Sequence, residues 1–234
     1  MKRFYKDVSV APGQGGFRIL LDGKPVKTPA RGSLALPTES LALAIAQEWR
    51  DQGETIVATT MPLLRLANTV IDGVAKNRAD VIAAILRFGD NDLLCYRAHQ
   101  PPDLAQRQRE AWDPLLDWVR QRHSAHLKVA EGLGHVEQTL DALAALREPL
   151  EDLDAFTLGG LHVIASITGS LVLALAVLDG YIPGAYAFAL SRIDETYQAE
   201  KWGEDAEAQK RAAALAHELD KAVELIAAVR SGQA

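Results

Sequence analysis

The segment YQAEKWGEDAEAQKR (residues 197–211) places Glu204, Asp205 and Glu207 just after a Trp-Gly step, and Asp194, Glu195 and Glu200 lie just upstream. Carboxylates at this density can act as a general acid and base, hold a divalent cation, or present charge to a partner. They can also simply open a helix: first-turn acids are stabilised by its unpaired N–H groups by roughly 0.3–1 kcal/mol each. Glu207 can pair with Lys210 or Arg211 at helical spacing. Helix-start chemistry accounts for three acids, but not for six with Trp202 at the corner. The spacing leaves a partner-binding patch of Asp194, Glu195, Trp202, Glu204, Asp205 and Glu207 open beside plain helix-start duty. The competing expectation is a small cytosolic hydrolase or transferase that uses Asp194, Glu195 and Glu204 as acid, base or Mg²⁺ ligands.

Elsewhere the residues capable of chemistry do not form recognisable constellations. Six histidines are present, with His123 and His126 three apart, but no Cys or carboxylate accompanies that pair at ligand spacing, so no metal site is expected. Neither His-Glu-x-x-His nor Glu-x-x-His occurs. GQGGF (13–17) misses the dinucleotide fingerprint and precedes a strand, and DGKP (22–25) carries Pro25 where a phosphate loop needs Ser or Thr. TGSLV lacks the glycine spacing of a nucleophile elbow, and GDND (89–92) only begins like a calcium loop. Cys95 sits among apolar residues in DLLCYR and reads as an inert core thiol. No cofactor is called for.

The composition frames these residues. Of 234 residues, 48% are hydrophobic and 24% charged, and 31 acids against 25 bases give a net charge of −6. Basic residues are scattered, so nucleic acid is not an expected partner. A lone cysteine excludes an intramolecular disulfide and fits a reducing compartment. The opening MKRFYKDVSV has neither an apolar run nor the Arg-rich, acid-poor character of a transit peptide, which leads to the expectation of a cytoplasmic protein. The uncharged run from Leu158 to Leu178 approaches membrane-spanning length. Its Gly, Ser, Thr and His residues and the flanking Asp154 and Asp179 point instead to a buried hairpin or broken helix, without membrane insertion.

The elements that must position the patch follow from periodicity. Alternation at Phe4, Lys6, Val8 and Val10, then FRILLDGKPVKT around Asp22-Gly23, then SLALP, predict a small antiparallel sheet. Thr38 caps a helix with Leu41, Ile45 and Trp49 inward, Pro62 opens a second, and Asn77 starts a third with Val81, Ile85 and Phe88 on one face. A loop-rich joint precedes a helix bearing Leu104, Trp112, Leu115 and Val119, which Pro114 should kink or restart. AHLKVAEGLG (125–134) reads as extended, and helices follow over about 137–147, 152–178, 183–201 and 204–230. Tyr186, Leu190, Ile193 and Tyr197 form one expected stripe. The fold class is α+β: a β-rich N-terminal domain with the first helix (1–60), then an α-helical domain (61–234), the boundary falling within 50–100.

RFYKDVSV, FRILLDGKPVKTP, LALAIAQEWRDQ, MPLLRLANTVID, DLLCYR, WDPLLDW and DETYQAEKWGEDAEAQKR occur in this order and cover nearly the whole chain. The set resembles the mitochondrial and alphaproteobacterial assembly chaperones of the F1 sector of ATP synthase that attend the alpha subunit. That resemblance implies a β-rich domain joined to a helical one, and no catalysis. It also implies that the protein binds the free F1 alpha subunit, as a monomer when free, until that subunit meets the beta subunit. The resemblance is what makes partner binding the leading expectation for the acidic patch. Mitochondrial members begin with a presequence, whereas this chain begins at the strand, which favours the bacterial cytoplasm.

Overall fold

The structure, a computed structural model, describes residues 1–132 and 134–232. They form an α+β fold with a small antiparallel sheet at the N-terminal end and helices after it. Strands β1 (Val8–Gly13), β2 (Gly16–Leu21) and β3 (Lys24–Pro25) pair in that order, with Val8 opposite Leu21 and Leu20 opposite Pro25. The β2–β3 turn is the expected one: Asp22 (φ 48°) and Gly23 (φ 76°) both take left-handed backbone. Before Val8 the expected alternation fails. Tyr5 is buried and Phe4 is 62% exposed, and residues 3–7 form no strand. SLALP contributes only single bridges, Phe17 to Leu36 and Lys27 to Ser33.

The chain divides into two compact units, neither continuous in sequence. The first gathers Met1–Arg78, Asp154–Gly160 and the chain from Lys221 on; the second holds Ala79–Leu153 and Leu161–Asp220. The division falls inside three helices, in one of them directly after its first residue, whereas periodicity placed one cut within 50–100 and assigned everything after residue 60 to a single domain.

In the first unit, α1 (Glu39–Arg50) buries Leu41, Ile45 and Trp49 against the sheet. Thr38 Oγ1 accepts from Leu41 N–H at 3.2 Å, capping α1, and donates to Ala228 O at 2.7 Å. Glu48 on α1 uses both carboxylate oxygens to accept from Leu63 and Leu64 N–H (2.8 and 2.9 Å). It thereby caps α2 (Pro62–Thr69), whose first residue is a proline with no N–H to satisfy. Burial nevertheless pushes the Glu48 carboxyl above its ordinary value. After α2 the helix widens into a π turn, Val70–Val74, and Asp72 there accepts from Thr28 Oγ1 and Ala30 N–H.

The second unit contains α3 (Arg78–Asp90), a two-residue parallel pairing of β4 (Tyr96–Arg97) with β5 (Ala130–Glu131), α4 (Pro102–His123) and α5 (Leu140–Glu151). Leu133, inside the expected extended segment 125–134, lies outside the described residues. Helix α4 runs on through Pro114 without the restart that the proline could have imposed. The proline is exposed, where the carbonyl it frees can meet water.

The apolar run 158–178 breaks as expected into α6 (Ala155–Thr168) and α7 (Leu171–Leu178), with Gly169 at φ 67° between them. Glycines other than Gly169 provide the close packing: a Cβ on Gly160 would lie 2.7 Å from Ile226, and one on Gly89 the same distance from Leu146. No helix among the described residues is long and apolar enough to cross a membrane. The expected helix 183–201 is two: α8 (Gly184–Ser191) and α9 (Ile193–Trp202). Tyr186, assigned to the inward stripe, is exposed. Helix α10 (Ala206–Arg230) closes the fold.

Asp92 organises the α6–α7 break. It accepts from Leu94 N–H and Val172 N–H, each at 3.0 Å, and the Ser170 hydroxyl and Leu171 N–H also favour its charged form. Burial outweighs these donors and raises its pKa from 3.8 to about 6. A folded-state pKa above the unfolded one gives stability that is complete below about 3.8 and lost as pH rises through about 6. Relative to Asp92→Asn, the parent should gain up to roughly 3 kcal/mol as pH falls from 7 to 4, at about 1.4 kcal/mol per pKa unit. Urea unfolding of both proteins at matched pH measures this; a difference independent of pH contradicts it.

Candidate functional site

The six acids around the elbow divide by location. Asp194 accepts from Gln108 Nε2 at 2.6 Å, and Glu200 takes a two-pronged pair of hydrogen bonds from Arg107 at 2.9 and 2.8 Å. Both therefore face α4. Between them Tyr197, buried, donates its hydroxyl to Asp103 (2.7 Å), and Lys201 reaches the same carboxylate at 3.3 Å. The tyrosine hydroxyl, followed by Lys201, holds Asp103 below its ordinary pKa, and the Arg107 hydrogen bonds do the same for Glu200. Depressed carboxylates give support that is present above their unfolded pKa values and lost as pH falls through the folded ones. The α9–α4 attachment is thus complete at neutral pH.

The remaining acids face solvent. Glu195 pairs with Arg192 at 3.3 Å, Glu204 accepts from Gln209 Nε2, Asp205 accepts from Glu207 N–H at 2.9 Å, and Glu207 pairs with Arg211 at 3.3 Å. The Asp205 contact starts α10, so part of the cluster does perform helix-start duty. Gly203, at φ 94° and ψ 162°, ends α9 in a backbone conformation that L side chains rarely adopt. Trp202, immediately before it, is 78% exposed. An open groove of about 460 Å³ runs between the two helices, lined by Glu195, Trp202, Glu204 and Asp205 among others, with Ala199, Ala208 and Ala212 in its wall.

This arrangement separates the two expectations drawn from the sequence. Asp194 does not line the groove that Glu195 and Glu204 share, and each of the three acids has its own partner. They do not converge on an enclosed cavity, which an acid–base pair or a Mg²⁺ site requires. No group of three His, Cys, Asp or Glu among the described residues is placed to hold a metal ion. An exposed indole over small residues with a charged rim has the composition of a protein contact. Glu195, Trp202, Glu204 and Asp205 lie together on that groove, Glu207 sits one helical turn before Arg211 outside it, and Asp194 belongs to the support beneath.

Sequence reasoning missed the residues that hold α9: Asp103, Arg107 and Gln108. Asp103 and Arg107, four apart, share one face of α4 and Gln108 flanks it, a signal that exists in the sequence but carries meaning only once α9 is known to lie opposite. Gln108 is the most consequential, because its Oε1 also accepts from Ala98 N–H at 2.7 Å.

Comparison with known proteins adds a family. A family model described as ATP12 chaperone protein matches residues 2–120. The crystal structure of Atp12 from Paracoccus denitrificans is 42% identical, with a TM-score of 0.94 over 98% of both chains. An aspartate-to-lysine mutant of P. denitrificans Atp12p is 41% identical, with the same TM-score over 98% of both chains. Protein atp12, mitochondrial, of Schizosaccharomyces pombe is 27% identical over 215 residues, which are 86% of this chain and 74% of that one.

The geometry separates support from surface in a way that stability measurements can read. Gln108→Leu leaves Ala98 N–H and Asp194 without their partner and should cost about 1–3 kcal/mol. Trp202→Ala removes a solvated ring and should change stability by less than about 0.5 kcal/mol. Thermal melts of the two variants test this; a large loss in Trp202→Ala would make the indole a structural element.

Proposed function

The chain belongs to the ATP12 chaperone protein family, and from that premise we propose that it is a non-catalytic assembly chaperone of the F1 sector of ATP synthase. It holds the free alpha subunit and covers surface that the beta subunit later occupies. An unassembled subunit of an obligate hetero-oligomer carries a large apolar interface, which associates nonspecifically until the proper partner arrives. The work required is binding and release, without bond chemistry or a cofactor. A monomer with a modest contact area suits it, because a cover that binds as tightly as the final partner cannot be displaced.

The contact is the elbow between α9 and α10. Trp202 carries this assignment: a large aromatic side chain 78% exposed beside a groove is not explained by the stability of the fold. Glu195, Glu204, Asp205 and Glu207 supply a negative rim that steers a basic surface on the alpha subunit and fixes its register. Asp194 acts from below by holding α9 to α4. The protein works in the compartment where the F1 subunits fold, the cytoplasm in a bacterium.

Trp202→Ala should weaken binding to purified alpha subunit by at least about 30-fold, the equivalent of roughly 2 kcal/mol for a central aromatic anchor. Glu204→Lys should have a smaller effect that shrinks at high salt, as expected for a rim charge. Comigration and affinity measurements at two salt concentrations check both. A Trp202→Ala protein that folds and binds the alpha subunit like its parent would remove the elbow from the contact.

A further inference from the structure

A second concave surface lies entirely within the first unit. It encloses about 540 Å³ beside the β2–β3 turn, and its walls include Phe4, Tyr5, Val26, Trp49, Leu64 and Asn68. Phe4 is largely exposed at this site, with its ring edge-on to Tyr5, which is in turn edge-on to Trp49. Two buried polar atoms of the wall residues have no hydrogen-bond partner among the described residues: the Trp49 indole Nε1 and the Asn68 amide Oδ1. Trp49 itself is only 8% exposed. Buried donors and acceptors are rarely left unmatched, and these are one of each in the same wall.

The rim carries two lysines. Lys24 and Lys27 line the groove and form no ion pair among the described residues. Asp22, the acid beside them, is already committed: its Oδ1 accepts from Lys6 and Asp7 N–H at 3.0 and 2.8 Å. Addition of a further strand to the sheet at this edge is obstructed, because Pro25 has no N–H and Lys27 already bridges to Ser33.

We propose that this groove receives an extended peptide segment of a client polypeptide. An apolar side chain of the segment packs on Phe4, Tyr5, Val26 and Leu64. Its own backbone C=O and N–H meet the Trp49 indole and the Asn68 carbonyl, and a neighbouring acidic residue faces Lys24 and Lys27. A hydrocarbon ligand would fill the apolar wall and leave both buried polar groups unmatched; a peptide unit matches both. Both atoms are buried, so docking includes a side-chain shift that uncovers them. This surface is independent of the elbow and does not depend on the identity of the client.

The test uses the full chain labelled with ¹⁵N and a blocked synthetic pentapeptide, acetyl-Leu-Glu-Leu-Glu-Leu-amide. Trp49→Phe assigns the Trp49 indole signal among the four tryptophans. Saturable movement of that signal on titration is expected, with affinity about tenfold weaker in Asn68→Leu, as for loss of one hydrogen bond. Phe4→Ser, at an exposed position, should weaken binding while leaving the melting temperature unchanged, so it carries the test if Asn68→Leu fails to fold. A peptide with Lys in place of Glu should bind less well. The proposal is overturned by an indole signal that the acidic peptide does not move, or by Phe4→Ser binding like the parent. It is equally overturned if octyl glucoside reproduces the shift and Asn68→Leu makes no difference, because the groove would then be a plain apolar site. No alpha subunit is present, so failure here leaves the elbow reading intact.

Discussion

Helix α9 is ten residues long, too short to hold its shape or place in water without help. Its help comes from α4. Gln108 holds Asp194, Arg107 holds Glu200, and Asp103 receives both the Tyr197 hydroxyl and Lys201, while the Arg107 guanidinium lies 5.5 Å from the centre of the Tyr197 ring. Trp112 adds a deeper tie by donating its indole N–H to Leu190 O at the end of α8. Exposed ion pairs contribute little one at a time. Here they cluster around one buried tyrosine and one buried glutamine, and those two fix the register of the helix. The orientation of Trp202, one residue before the chain turns at Gly203, depends on this attachment.

A carboxylate cluster can serve a fold and a surface together if different members do each task. The acids facing α4 are consumed by hydrogen bonds within the unit. Those past Gly203 start α10 or sit on the groove rim, with partners only on their own helix or its neighbouring turn. Such local partners are readily exchanged for a partner's Arg or Lys, because both states remain solvated and the exchange costs little desolvation. The bonds made by buried Tyr197 and Gln108 beneath are not exchangeable in that sense. This division lets the same short stretch be rigid and adaptable, a combination that suits a chaperone whose client must leave.

Much of this was legible in the sequence wherever local chemistry dominates. Asp22-Gly23 specified its turn, Thr38 its cap, and Thr168-Gly169-Ser170 the break in the apolar run. The elbow itself was visible as Trp202-Gly203 followed by acids. What stayed hidden depends on distance along the chain. Thr38 Oγ1 bonds to Ala228 O, 190 residues away, and such contacts draw the late segments into the first unit without leaving a local pattern. Tyr186 shares helical spacing with Leu190 but is exposed, and Arg192 ends α8, so Ile193 and Tyr197 belong to a separate helix. Counting acids gave six; only packing against α4 could tell which of them reach solvent. Family resemblance supplied the proposed partner, which neither periodicity nor charge can name.

The most direct measurement of the central claim is amide hydrogen exchange on this protein, alone and bound to purified alpha subunit. The N–H groups of Glu204, Asp205 and Ala206, between the bonded N–H groups of Gly203 and Glu207, should exchange rapidly in the free chain. If the elbow is the contact, binding should slow exchange across residues 195–212 and leave the buried amides of α7 unchanged. Complex formation with exchange at 195–212 unaltered, and protection appearing elsewhere, would contradict the account.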